Sequence, residues 1–215
     1  MEMDIGISVQ HVYKEFRGTT VLTDVTRDFE VGKIHGIVGS NGSGKTVLFK
    51  CICGFMFPSK GRILVDYRQV GKDMDFPEDL GLIIETPGFH PRRTALRELK
   101  FLASLRGKIT EQQICQTIRQ VGLDPASKKN IGKYSLGMRQ RLGIAQAIME
   151  NPRFLILDEP FNGLDKTGAA QMRDLLKNLR SDGRTILLAS HNAQDIEELC
   201  DTVCEMDAGI LTPIR

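Results

Sequence analysis

Gly39-Ser40-Asn41-Gly42-Ser43-Gly44-Lys45-Thr46 follows directly on the apolar run Ile34 to Val38 and opens into a helical pattern, Thr46 to Cys53. The eight residues have the form G-x-x-x-x-G-K-[ST], and strand, loop and helix in that order are the context the motif requires. Glycines let successive backbone N–H groups curl toward one anion, where β-carbons would interfere. The positive end of the following helix adds to the same anion site. Lys45 is expected to bridge the β- and γ-phosphates of a nucleotide, and the Thr46 hydroxyl to ligate magnesium. A glycine-rich turn that matched by accident would not also have the flanking strand and helix.

A second motif lies downstream. Phe154-Leu155-Ile156-Leu157-Asp158-Glu159-Pro160 is an apolar run that ends in two acids. Uncompensated carboxylates at the end of a buried strand are costly. A magnesium ion held by Asp158 removes that cost and leaves Glu159 to polarise a water for attack on a γ-phosphate. Taken alone, the run also reads as a strand leaving the core for solvent. With a phosphate loop upstream, the pair specifies a nucleoside triphosphatase.

The remaining chain fills in around these motifs. Ile5 to Tyr13 and Val21 to Val31 alternate loosely about the turn Arg17-Gly18-Thr19 and predict a small antiparallel sheet; Arg62 to Tyr67 and Leu80 to Ile84 predict further strands. From Thr94 to Val121 the period becomes helical, with Leu96, Leu99, Phe101, Leu102 and Leu105, then Ile114, Ile118 and Val121. The last third alternates: helix Ser135 to Met149, strand Phe154 to Asp158, helix Lys166 to Arg180, strand Thr185 to Ser190, helix Ala193 to Leu199. Short strands at Val203 to Met206 and Gly209 to Leu211 complete it. The fold expected is α/β: a P-loop core with a mostly parallel sheet, an N-terminal antiparallel β-subdomain and an inserted α-helical subdomain. All of residues 1–215 form one domain, with the insert at about 86–133.

Composition excludes several classes. The 29 basic and 27 acidic side chains are scattered, so no charged tail suggests a nucleic-acid partner. Apolar runs such as Phe154 to Leu157 are far shorter than the roughly 20 residues that span a bilayer. The amino terminus, Met1-Glu2-Met3-Asp4, is acidic where a secretory signal is basic, which points to the cytosol. The five cysteines, Cys51, Cys53, Cys115, Cys200 and Cys204, lack zinc-ribbon spacing and read as small buried hydrophobes in a reducing compartment.

Over nearly its whole length the chain resembles the ATP-binding cassette family. The family signature, written LSGGQ, aligns with Tyr134-Ser135-Leu136-Gly137-Met138, followed by Arg139-Gln140-Arg141-Leu142. The resemblance implies that Ser135 and Gly137 cap ATP held by a second cassette, so that two cassettes, expected to be a homodimer, sandwich two nucleotides. It implies that Phe161-Asn162-Gly163-Leu164-Asp165 carries communication between cassettes and that His191 senses the γ-phosphate. Phe16, in preference to Tyr13 within the strand pattern, is the aromatic implied to stack on adenine. Tyr134, Leu136 and Met138 depart from the signature but leave the Ser and Gly that contact phosphate.

Glu85, in Ile84-Glu85-Thr86-Pro87, stands where the family places a Gln. A carboxylate there is a better magnesium ligand and also repels the γ-phosphate. The wording Glu85-Thr86-Pro87-Gly88-Phe89 with the altered signature resembles the branch of bacitracin, lantibiotic and other drug exporters. The implied partner is then an integral membrane permease docking near Glu85 to Leu105, with the chain on the inner face of the cell membrane. A soluble cassette acting on another macromolecule is the alternative. A small-molecule kinase would leave the signature and His191 unexplained.

Overall fold

The computed structural model describes residues 4–85 and 87–215; Met1 to Met3 of the acidic amino terminus, and Thr86 at the start of the expected insert, lie outside the described residues. In chain order the first half contains β1 (Ile5–Phe16), β2 (Thr19–Glu30), β3 (Ile34–Val38), α1 (Lys45–Ile52), β4 (Lys60–Val65), β5 (Arg68–Gln69), β6 (Leu80–Ile83), α2 (Ala95–Ser104) and α3 (Glu111–Gln120). After a single 3-10 turn at Ile131–Lys133 come α4 (Leu136–Ile148), β7 (Phe154–Asp158), α5 (Lys166–Ser181), β8 (Thr185–Ala189), α6 (Ala193–Leu199), β9 (Thr202–Asp207) and β10 (Ile210–Pro213).

The strands form two sheets. One is antiparallel, in the order β2-β1-β4-β5; the other runs β10-β9-β3-β8-β7-β6 and is parallel except for the β10–β9 hairpin. Strands β7 and β8 are buried at every residue, as apolar strands covered on both faces must be. Their side chains alternate between two cores. Leu155, Leu157, Ile186 and Leu188 pack toward the helices, whereas Phe154, Ile156, Leu187 and Ala189 pack toward α1 and the antiparallel sheet.

Three details refine the sequence reading. The strand expected at Arg62 to Tyr67 is a hairpin, because Asp66 and Tyr67 both take positive φ and turn the chain between β4 and β5. Strand β1 continues through Phe16, so Tyr13 and Phe16 lie on the same strand. The helical stretch is two helices, each with its own start. Thr94 caps α2 by accepting from Arg97 N, and Thr110 forms a reciprocal capping box with Gln113 at α3.

One turn ties the two sheets to each other by backbone hydrogen bonds. Gly209, between β9 and β10, donates its N–H to Ser43 O and accepts from Thr23 N, both at 2.9 Å. A β-carbon there would stand 2.3 Å from Val21 O, and φ is +82°, so the turn requires glycine. The antiparallel sheet, the hairpin and the phosphate-loop motif are thereby hydrogen-bonded into one unit. Elsewhere, burial pushes the Cys51 thiol up to about 11 and those of Cys53 and Cys200 to about 12, in keeping with packing rather than reactive roles.

Candidate active site

Strand β3 delivers the chain at Val38, and Gly39 turns it with φ +147°. A β-carbon at Gly39 would lie 2.2 Å from Met206 O, which excludes every other residue. The loop then wraps the Lys45 side chain, which is buried and donates from Nζ to Gly39 O at 2.7 Å and Ser40 O at 2.9 Å. Lys45, expected to reach phosphate, is therefore fixed by loop carbonyls that hold its charge within the loop. Helix α1 has Gly44 at its cap position and no side chain bonded to its first amides. Those amides keep their capacity for an anion. Ser43 Oγ is likewise buried without a hydrogen-bond partner.

Strand β7 brings the acids to the same place. Asp158 is buried and its Oδ2 accepts from Thr46 Oγ1 at 2.7 Å. The chain then bends sharply: Glu159 has φ +51°, its N–H donates to Ala189 O, and its own carbonyl accepts from Gln140 Nε2 at 3.2 Å. These bonds aim the Glu159 carboxylate outward, where Oε2 meets His191 Nδ1 at 2.8 Å. Two strand ends, β7 and β8, thus place an acid and an imidazole in contact.

A cleft of about 620 Å³ opens over these groups, lined among others by Asn41, Gly42, Gly44, Lys45, Thr46, Glu85, Asp158 and Glu159. Gly39, Ser40 and His191 line the adjoining depression of about 610 Å³. Glu85 stands at the cleft edge with φ +64°, its carboxylate paired to Lys50 Nζ at 2.6 Å. Phe16, Ser135 and Gly137 do not line the cleft. Phe16 is partly exposed beneath Lys14 Nζ, 5.0 Å from its ring centre. Ser135 caps α4, accepting from Met138 N, and Gly137 packs against the Gly163 carbonyl, where a β-carbon would come to 2.7 Å.

Sequence reasoning did not place Lys50, Gln140 or Asn162 in the site. Gln140 was legible as a polar residue one helical turn after Leu136, which also lines the cleft. Lys50 has the same relation to Thr46 along α1.

The donor set fits a hard divalent cation. The Thr46 hydroxyl and Asp158 carboxylate converge, while no group of three or more His, Cys, Asp or Glu side chains among the described residues is arranged as a metal cage. Magnesium suits such a site, because it takes few protein oxygens and completes its shell with phosphates and water.

A family model described as ABC transporter matches residues 22–162. The uncharacterized ABC transporter ATP-binding protein YybJ of Bacillus subtilis (strain 168) is 42% identical over 205 residues, covering 95% of this chain and 94% of that protein. The bacitracin transport ATP-binding protein BcrA of Enterococcus faecalis is 38% identical, over 98% of this chain and 69% of its own length. The lantibiotic transport ATP-binding protein SrtF of Streptococcus pyogenes is 32% identical, over 92% and 85%. Among solved structures, an ATP-binding subunit of an ABC transporter superposes with a TM-score of 0.87 at 26% identity, covering 95% of this chain and 87% of that one. The dimeric cassette MJ0796 superposes at 0.86 with 21% identity, over 95% and 96%, and shares the fold. The chain belongs to the ABC transporter family, as an ATP-binding and ATP-hydrolysing subunit.

Proposed function

We propose that this subunit powers export of an antimicrobial peptide or similar drug through a separate integral membrane subunit. The bacitracin and lantibiotic transport functions named for BcrA and SrtF support the cargo class. The observation that carries the mechanism is the 2.8 Å contact between Glu159 and His191 beside the Thr46–Asp158 pair.

In this reading Gly39, Ser40, Asn41, Gly42, Ser43, Gly44 and Lys45 wrap the β- and γ-phosphates of ATP. Backbone amides and the Lys45 ammonium balance their charge. Thr46 and Asp158 would hold magnesium, with Glu85 a further candidate ligand; the ion would supply Lewis-acid stabilisation of phosphate charge. Glu159 orients and deprotonates the attacking water, and His191 holds that carboxylate and senses the γ-phosphate. Phe16 stacks on the adenine.

Ser135 and Gly137 serve a second copy of the chain. They do not line their own cleft, and the hydroxyl, amide and N-terminus of α4 make an anion site suited to a partner's ATP. MJ0796, which shares the fold, has been solved as a dimer.

The permease docks on the helical insert, residues 86–133 of the single domain. A groove of about 350 Å³ runs between the insert and the sheet edge, lined by Phe55, Leu82, Leu102, Leu105, Arg106 and Glu150. Leu105 and Phe55 are well exposed there, as a protein-binding surface requires. No helix of the described residues is long and apolar enough to cross a membrane; in this reading the subunit works against the cytoplasmic face of the permease. No nucleic acid takes part.

Affinity capture of the tagged chain carrying Glu159→Gln, from detergent-solubilised native membranes with ATP, tests this reading. Recovery of a polytopic membrane protein is the expected result. Recovery of ribosomes, or of no membrane protein, would replace it with a soluble role.

A further inference from the structure

We propose that the buried Arg173–Asp195 ion pair is a positioning device for His191, tying the strand end that carries the histidine to the helix that follows the Phe161–Asp165 loop. The proposal rests on the roles given to Glu159 and His191 above.

Strand β8 ends at Ala189; Ser190, His191 and the α6 cap Asn192 follow. The Ser190 hydroxyl is buried, donates to Asp195 Oδ2 at 2.9 Å and accepts from the Asn192 amide at 3.1 Å. The residues on either side of His191 are therefore bound, through one hydroxyl, to one carboxylate. That carboxylate is 1% exposed, and its other oxygen accepts from Arg173 Nη1 at 2.7 Å. Arg173 Nε lies 3.3 Å from Glu198 Oε2, near enough for attraction but too poorly aligned for a hydrogen bond. Lys177 Nζ approaches the same Glu198 oxygen at 3.8 Å.

Arg173 projects from α5, whose first turn is capped by Asp165 accepting from Gly168 N at 2.8 Å. Just before it, the Gly163 carbonyl abuts Gly137 at the start of α4. A continuous run of contacts thus leads from the signature through the loop, α5, Arg173, Asp195 and Ser190 to His191 and Glu159. An apolar pair of similar volume would hold α5 to α6 equally well. It would not divide one carboxylate between the helix and the hydroxyl beside the histidine. A change in the loop on partner binding then reaches the imidazole through a few fixed hydrogen bonds, while a merely structural pair would carry nothing.

The test is the full-length chain carrying Arg173→Met with Asp195→Leu, and separately Ser190→Ala, which leaves the ion pair intact. Phosphate release should fall about tenfold in the double variant, with KM for ATP within about twofold. The ¹⁵N resonances of the His191 ring should move toward those of an imidazole free of a carboxylate. Ser190→Ala should shift both readouts in the same direction by a smaller amount. Wild-type rates and unchanged His191 resonances in Ser190→Ala would overturn the proposal, and that variant decides the matter if the double variant does not fold. Wild-type hydrolysis by Glu159→Gln would instead overturn the Glu159 assignment; the ring resonances would still report on the network.

Discussion

Thr46 Oγ1 donates to Asp158 Oδ2 at 2.7 Å, joining the first turn of α1 to the end of β7 across 112 residues of chain. In the proposed function both groups hold one magnesium ion, so removing either should disable the same function. Thr46→Val and Asp158→Asn should each lower ATP hydrolysis by about a hundredfold and raise the magnesium concentration for half-maximal rate. Because they act as a unit, the double variant should be little worse than the singles. Phosphate release over a magnesium series checks this, and additive losses would separate the two roles.

Glu159 is aimed through its own backbone, which donates to Ala189 O and accepts from the Gln140 side chain, so its carboxylate can be changed without disturbing the strand end. Glu159→Gln should cut hydrolysis by about 10²–10⁴-fold while leaving ATP binding in place. Size-exclusion chromatography with ATP should then show a retained dimer. Hydrolysis at the wild-type rate would remove Glu159 from the base position.

In the Glu85–Lys50 pair the carboxylate is open to water, its side chain 64% exposed. Glu85→Gln should therefore change stability by less than about 1 kcal/mol. Its effect belongs in catalysis: the magnesium requirement or the turnover number should shift. Urea unfolding and a magnesium titration of phosphate release separate the two. If neither catalytic quantity moves, Glu85 has no part in the cation shell.

His35 is 1% exposed on β3, and burial holds its pKa below the usual 6.5. Its Nε2 donates to Glu30 O at 2.9 Å and its Nδ1 accepts from Thr202 Oγ1 at 2.7 Å, a neutral arrangement. The unfolded chain takes up a proton near 6.5 and the folded chain only at lower pH. Stability is complete above that value and falls as the solution is acidified through it. The loss is about 1.4 kcal/mol per pH unit until the folded pKa is reached. Urea midpoints at a series of pH values, with a His35 NMR titration, check the sign. A midpoint that rose on acidification would contradict it.

The P-loop and the acidic strand end could be read from sequence because each combines a strict local pattern with a strand of continuous apolar residues. The parallel sheet followed from the same runs. What escaped were relations set by folding rather than by pattern. The positive φ at Asp66 and Tyr67, which makes a hairpin of an expected strand, has no glycine to announce it. Phe16 was favoured over Tyr13 on the expectation that the strand stopped short, yet β1 carries both. Gln140 reaches the cleft, and Lys50 reaches the Glu85 carboxylate, only because α4 and α1 present them there. The Arg173–Asp195 pair joins residues on separate helices that no spacing rule connects.

The Gly209 turn bears on how this protein can be altered. Arg17-Gly18 and Ala208-Gly209 look alike as two short glycine hairpin turns, with φ of +85° and +82° at the glycines. A β-carbon at Gly18 would meet nothing within 4 Å, so a substitution there faces only the strain of its positive φ. A substitution at Gly209 would in addition collide with Val21 O and part the bonds to Ser43 and Thr23 that tie the two sheets together.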